Sequence, residues 1–295
     1  MGKDLLDNFK VVRELYEEAS SALGYDIGKL SFSGPKDELN KTSRTQPCLL
    51  TASIAAYKVL ASKGVLPDVV AGHSLGEYSA IVAAGVVLFR DAVKMTEKRG
   101  IFMQEAIPEG KGLMAAVIGL ERNSVDQICA SVSSGYVSPA NYNSPGQIVI
   151  AGEIKAVKDA IELLREAGAK KVVPLAVSAP SHCRLMVEAS AHLGRLLETI
   201  TFNKSVVPIV NNADAVFLTD GDALKLSLIK QLHSPLLWED SVKNMVRNGV
   251  NTFVEVGPGR VLSGLIKRIE PSVKIYNVGD IESLNKTVDS IAAEN

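Results

Sequence analysis

Cysteine is scarce in this 295-residue chain, and the three present (Cys48, Cys129, Cys183) are far apart, with no C-x-x-C pair. That usage argues against a disulfide scaffold and a zinc site, and for a reducing compartment. An excess of one charge is missing too: 32 Lys and Arg against 33 Asp and Glu leave a formal charge of -1. Nothing global therefore suggests a nucleic-acid partner. No apolar run reaches membrane-spanning length. The segment Met1 to Lys10 carries mixed charge and lacks the apolar stretch of a secretory signal. There are no internal repeats and no low-complexity segment. These absences predict a soluble, cytoplasmic protein with no membrane and no nucleic-acid partner. The length suffices for one large domain carrying an inserted subdomain.

What is present centres on Pro67 to Tyr78. Val69 to Ala71 reads as a short buried strand, Gly72-His73-Ser74-Leu75-Gly76 fits G-x-S-x-G, and Glu77 to Val87 reads as a helix. A strand turning into a helix between two glycines is a nucleophile elbow, with Ser74 lifted out of the sheet. The first helical N–H groups, Leu75's among them, would face a developing oxyanion. The pentapeptide alone is a common pattern, and Ser74 as a simple N-cap is the competing reading. The strand before it and the helix after it favour the nucleophile.

Around the elbow the pattern is α/β. Helices are expected over Leu5 to Leu23, from Thr45-Gln46-Pro47 to Gly64, and over Asp91 to Met103. The texture changes near Gly112. A strand (Leu113 to Leu120), a helix (Asn123 to Ser134), two strands (Val137 to Asn141, Gln147 to Ala151), a helix (Ile154 to Ala167) and a strand (Lys171 to Val177) follow. That β-α-β-β-α-β order is ferredoxin-like. Helices over Ser181 to Leu197, Ala223 to Leu232, Trp238 to Gly249 and Val261 to Ile269 come next, with strands at Pro208 to Asn211 and Thr252 to Val256. The expected fold is a large α/β-hydrolase-like domain with a parallel sheet (1–111 and 179–295), carrying an inserted ferredoxin-like (βαββαβ) subdomain (112–178).

A serine hydroxyl needs a base. Of the four histidines, His73 is too close in sequence to fold back onto Ser74 and fits a bracing role. His192 falls mid-helix and His233 in a loop. His182 follows a strand and opens a helix, where catalytic groups gather in open α/β sheets; position alone leaves a catalytic base and an ordinary helix-opening histidine both open. No carboxylate is placed behind it by a motif, so a Ser–His dyad fits better than a triad. Arg99 is either a solvated helix residue or a planar fork for a substrate carboxylate.

Together these segments resemble the malonyl-CoA:acyl-carrier-protein transacylase family. The resemblance runs through Gly72 to Tyr78, Arg99-Gly100 with Phe102-Met103-Gln104-Glu105, Asn141 to Gln147, Pro180-Ser181-His182-Cys183, Val210-Asn211-Asn212, Gln231-Leu232 with Pro235 and Trp238, and Glu255 to Gly259. It implies Ser74 as the acylated nucleophile, His182 as base and then acid, and the Gln231 main-chain carbonyl as orienter of His182. It further implies Leu75 N–H as oxyanion donor and Arg99 as partner of the malonyl carboxylate, with Met103, Asn143 and Ser181 among the substrate-binding residues. Discriminating malonyl from acetyl requires such a cation, since an apolar pocket separates similar sizes poorly. No cofactor and no metal are implied. The partners would be malonyl-CoA and an acidic acyl carrier protein, met by a basic rim drawn from Lys155, Lys158, Lys170, Lys171, Lys267 and Arg268; a solvated surface is the ordinary role of each. The protein would act as a monomer.

Members of that family begin with an apolar strand and a glutamine-bearing loop that supplies a second oxyanion donor. Here Met1-Gly2-Lys3-Asp4 stands where that loop would have passed, so an upstream extension of the native chain is expected, and without it an impaired enzyme. The competing readings are a serine thioesterase or hydrolase, and a non-catalytic subunit.

Overall fold

Two helices set the frame of the larger body. α5 (Thr42–Ser62) and α7 (Phe89–Ala106) pack so closely that a Cβ on Gly100 would lie 2.5 Å from Ser43 Cα. Only glycine allows that approach, which brings Gln46 on α5 next to Arg99 on α7. Around this pair lie α1 (Lys3–Asn8), α2 (Lys10–Leu23), α3 (Ile27–Ser33), α4 (Lys36–Leu39), α6 (Leu75–Ala83), α10 (Val187–Leu197) and α11 (Gly221–His233). Their apolar stripes meet in one core that includes Leu15, Ile54, Ile81, Met95, Leu193 and Leu228. α2 shows how the pattern works: Val12, Leu15, Tyr16 and Ala19 are buried at helical spacing, and Gly24 closes the helix in the left-handed conformation.

The computed structural model describes residues 1–108, 110–175 and 179–293. Within it the strands of the larger body are short. β1 (Val70–Ala71) pairs parallel with β6 (Ile209–Val210), which pairs antiparallel with β7 (Phe217–Leu218). Separately, β8 (Thr252–Val256) pairs parallel with β9 (Lys274–Val278). The expected parallel sheet is thus two small sheets, one of them mixed, because helices supply most of the apolar surface that longer strands would otherwise have to bury. α12 (Trp238–Arg247) and α13 (Val261–Ile269) join β6 in a satellite core around Trp238 and Val242. β9 and α14 (Ile281–Ala292) lie beyond the last element expected from the sequence.

Between α7 and α10 sits a four-stranded antiparallel sheet in the order β3-β4-β2-β5, formed by β2 (Gly112–Ile118), β3 (Val137–Ser144), β4 (Gln147–Glu153) and β5 (Lys171–Pro174). α8 (Arg122–Ser131) and α9 (Ile154–Glu166) cover it, burying Val125, Cys129, Val157, Ile161 and Leu164 against Ala115, Val117, Ile148 and Ile150. The expected end of β5 at Ala176 and Val177 lies outside the described residues. β3 also ties this sheet to the rest of the chain, through Tyr142 N–H to Leu236 O (2.8 Å) and Leu236 N–H to Ala140 O (2.8 Å).

Two sequence expectations are corrected. α5 starts at Thr42, so Pro47 lies inside the helix rather than at its opening. Ser181 and His182 do not open a helix either; a 3₁₀ turn (Arg184–Met186) precedes α10, and His182 takes φ 61°.

Candidate active site

β1 ends at Ala71, and the chain turns through Gly72 to Gly76 into α6. A Cβ on Gly72 would lie 2.0 Å from the Gly76 carbonyl carbon, so the turn closes only with glycine there. Ser74 sits at φ 53°, ψ -107°, a conformation that costs on the order of 1–3 kcal/mol and persists only when its surroundings impose it. Asn212 does so: its Oδ1 accepts from Ser74 N–H (2.7 Å) and its Nδ2 donates to Gly72 O (2.7 Å). The Leu75 N–H, at the positive end of α6, has no acceptor among the described residues.

His182 completes the dyad. Its Nε2 lies 2.8 Å from Ser74 Oγ, and its Nδ1 lies 2.8 Å from the Gln231 main-chain oxygen. A carbonyl only accepts, so Nδ1 carries the proton and Nε2 presents its lone pair to the serine. Burial, and then the neighbouring Arg99 charge, push the imidazole pKa down to about 3, leaving it neutral. Its own N–H donates to Leu232 O (3.1 Å), fixing the left-handed backbone.

Arg99 is not a solvated helix residue: it is 1% exposed. Its Nη1 donates to Gln46 Oε1 (2.7 Å), and its Nη2 to Ser74 Oγ (3.2 Å) and Gln231 Oε1 (3.1 Å). Its Cζ stands 5.2 Å from the centre of the Tyr78 ring. A buried guanidinium beside a nucleophilic hydroxyl is held ready for an anionic group. The cavity above it, about 240 Å³, is lined by Gln46, Ser74, Leu75, Arg99, Met103 and Ser181, among others.

The structure therefore brings Ser74, Leu75, Arg99, His182, Gln231, Met103 and Ser181 together. Asn143 stands one step back, its Oδ1 2.8 Å from His73 Nε2, and His73 packs edge-on against Trp238. Four features escaped the sequence reading: the Gln46 clamp on Arg99, the Asn212 clamp on the turn, the Gln231 side chain and Glu77. Gln231 Nε2 donates to Ser74 O (3.0 Å) and to Glu77 Oε2 (2.9 Å). Ser74 and Glu77 show the S-x-x-E spacing of a capping box, which is the sequence signal that singles Glu77 out. No group of three or more His, Cys, Asp or Glu able to hold a metal occurs among the described residues.

An elbow serine, a neutral buried histidine and a buried arginine on an α/β frame define a serine acyl-transfer site. Residues 1–285 match the model of the acyl transferase domain, and the chain belongs to that family. It is 52% identical to the malonyl CoA-acyl carrier protein transacylase of Escherichia coli over 268 residues, 90% of this chain and 87% of that protein. It is 42% identical to the enzyme of that name from Bacillus subtilis over 297 residues, 100% of this chain and 94% of that protein. Among solved structures, a malonyl-transacylase in complex with its type II polyketide-synthase acyl-carrier protein aligns with TM-score 0.96 and 46% identity, covering 98% of this chain and 94% of that one. The acyl carrier protein S-malonyltransferase of Vibrio cholerae aligns with TM-score 0.95 and 47% identity, covering 97% and 94%.

Proposed function

We propose that the protein transfers a malonyl group from malonyl-CoA to the phosphopantetheine thiol of an acyl carrier protein, through an ester on Ser74. One observation carries this reading: a single hydrogen-bonded chain runs from Gln231 O through His182 and Ser74 Oγ to Arg99, at the base of one cavity. Arg99 takes the free carboxylate of the malonyl group. His182 Nε2 accepts the Ser74 proton as Oγ attacks the thioester carbonyl, and the Leu75 N–H donates to the oxyanion. The imidazolium returns that proton to the leaving coenzyme A sulfur. The carrier thiol then gives its proton to His182, attacks the ester, and Ser74 recovers its hydrogen.

The carboxylate does more than dock. Bound to Arg99, it offsets the cation that depresses His182 and occupies the guanidinium donors, one of which otherwise engages Ser74 Oγ. An acetyl group does neither, so selection acts on the rate of acylation as well as on binding.

The finer organisation belongs to the same proposal. Residues 1–111 and 179–295 form an α/β-hydrolase-like catalytic domain and 112–178 a ferredoxin-like subdomain; the β3-β4-β2-β5 order supports the latter. The protein acts as a cytoplasmic monomer; no helix among the described residues is long and apolar enough to cross a membrane. The acidic carrier approaches an open groove of about 630 Å³ whose lining carries Lys111, Lys155 and Lys158 against the carboxylate of Glu153. Lys267 and Arg268 are instead engaged by Pro271 O (2.7 Å) and Gln147 Oε1 (2.5 Å).

A transfer assay with malonyl-CoA and holo carrier protein tests the reading. Malonyl-carrier should accumulate with little free malonate. Free malonate released at the same rate with and without carrier would make the protein a thioesterase.

A further inference from the structure

Glu77 and Arg99 are the two buried members of the Asp, Glu, Lys and Arg set among the described residues, and Glu77 is 0% exposed. A carboxylate at the third helical position is placed to reach back to the Ser74 N–H. It does not, because Asn212 Oδ1 holds that N–H. The Glu77 side chain points inward instead. Its Oε2 accepts from Asn212 N–H (3.0 Å) and Gln231 Nε2 (2.9 Å), and its Oε1 from Ser227 Oγ (3.2 Å).

Both partners of Oε2 govern the reacting groups. Asn212 clamps the backbone that leads into the nucleophile, at Gly72 O and Ser74 N–H. Gln231 supplies the carbonyl that fixes the His182 tautomer, and its side-chain Oε1 accepts from Arg99. An ionised carboxylate only accepts. It therefore holds the amide with Nε2 inward, one hydrogen toward Glu77 and one toward Ser74 O, which leaves Oε1 to face the guanidinium. The buried Arg99 charge and the buried Glu77 charge are joined through this one amide.

We infer that Glu77, acting through Gln231 and Asn212, is a positioning residue that holds nucleophile, base and carboxylate-binding arginine in one frame. This rests on the acyl-transfer reading above and adds a regulatory consequence. The titratable groups facing Glu77 are Arg99 from α7 and Tyr78 beside it on α6; α11 offers Gln231 and Ser227, and the segment after β6 the Asn212 amide. Burial pushes the Glu77 carboxyl up to about 7, against the pull of its three donors and of Arg99. Protonation removes the charge that Oε2 presents to Nε2 and Asn212 N–H and turns one carboxyl oxygen into a donor, which weakens the hold on both partners. Loading of Ser74 therefore falls as pH drops below about 7; in the acetyl reaction, where Arg99 stays unpaired and holds His182 neutral down to about 3, this limb belongs to Glu77.

The test is the rate of Ser74 loading, read by rapid-quench intact mass from about pH 5.5 to about pH 8.5, with malonyl-CoA and acetyl-CoA separately. Wild type, Glu77→Gln and Glu77→Asp are compared. Misplacing the reacting groups by about an ångström costs on the order of 100-fold, and that loss is expected for Glu77→Gln at pH 8. Its acid limb should vanish and its malonyl-to-acetyl rate ratio should fall, with partial recovery in Glu77→Asp. A wild type that carries malonyl while Glu77→Gln matches it in rate, pH profile and ratio overturns the role of Glu77 alone. A wild type that never carries malonyl overturns the acyl-transfer reading and this proposal with it. If Glu77→Gln does not fold, Ser227→Ala decides. It removes a donor to the ionised carboxylate, so the limb must move to higher pH, and an unmoved limb overturns the proposal.

Discussion

Two strand-to-helix turns in this chain are flanked by glycines and each has a carboxylate at hand, yet they use it in opposite ways. At Gly257-Pro258-Gly259, between β8 and α13, Glu255 reaches over the helix start. Its Oε1 accepts from Leu262 N–H (3.0 Å), and its Oε2 from Ser263 N–H (2.7 Å) and Ser263 Oγ (2.6 Å). The positive end of that helix is capped. At Gly72 to Gly76, between β1 and α6, Glu77 turns away into the core, and Leu75, whose N–H has no acceptor among the described residues, lines the cavity. One turn is closed for stability. The other leaves its helix terminus open for an anion and places the carboxylate beneath, where it holds the residues that do the chemistry.

Replacing Arg99 tests the open turn most severely. Arg99→Ala should slow malonyl loading of Ser74 on the order of 100-fold while acetyl loading changes much less; equal losses for the two thioesters in stopped-flow acylation would contradict the carboxylate role. Asn212→Ala removes the clamp on Ser74 without touching the cavity lining. A loss of about tenfold or more in kcat with KM near wild type is expected, because the strained serine is no longer imposed.

The carboxylates themselves separate the turns further. A raised folded pKa means that the folded state holds the Glu77 proton more tightly than the unfolded state does. The Glu77 contribution is thus favourable at low pH and is lost as pH rises from about 4.5 through about 7. Thermal melts of wild type and Glu77→Gln should diverge in that window, with wild type losing stability relative to the variant as pH rises. Activity demands the ionised form that stability disfavours. Glu255→Ala gives the smallest effect: about 1 kcal/mol of stability, as for loss of a helix cap, with kcat/KM unchanged. A drop in activity there would blur the distinction between the turns.

The elbow was legible because its determinants are local: two glycines, a strand before and a helix after. His182 was legible by position, but its left-handed backbone was not, since the hydrogen bond that imposes it comes from Leu232, far along the chain. Arg99 could be read either way until α5 was placed; its burial depends on Gly100 meeting Ser43, a contact between helices. Asn212 and Glu77 are separated by 135 positions along the chain and meet only in the fold. The Gln231 carbonyl came from the resemblance, because a main-chain acceptor leaves no mark on residue type. β9 and α14 went unread even though Asp280 and Ser283 form a capping box there. The break of the expected parallel sheet into short pieces follows from helix packing, which strand patterns do not report.

Everything proposed for the site depends on Ser74 carrying the malonyl group. Intact-mass spectra of wild type and Ser74→Ala, taken after mixing with malonyl-CoA, test it directly. Wild type should carry a malonyl adduct, placed on Ser74 by peptide mapping, and the variant none. An adduct that persists in Ser74→Ala, or a wild type that releases malonate without ever carrying it, would contradict it.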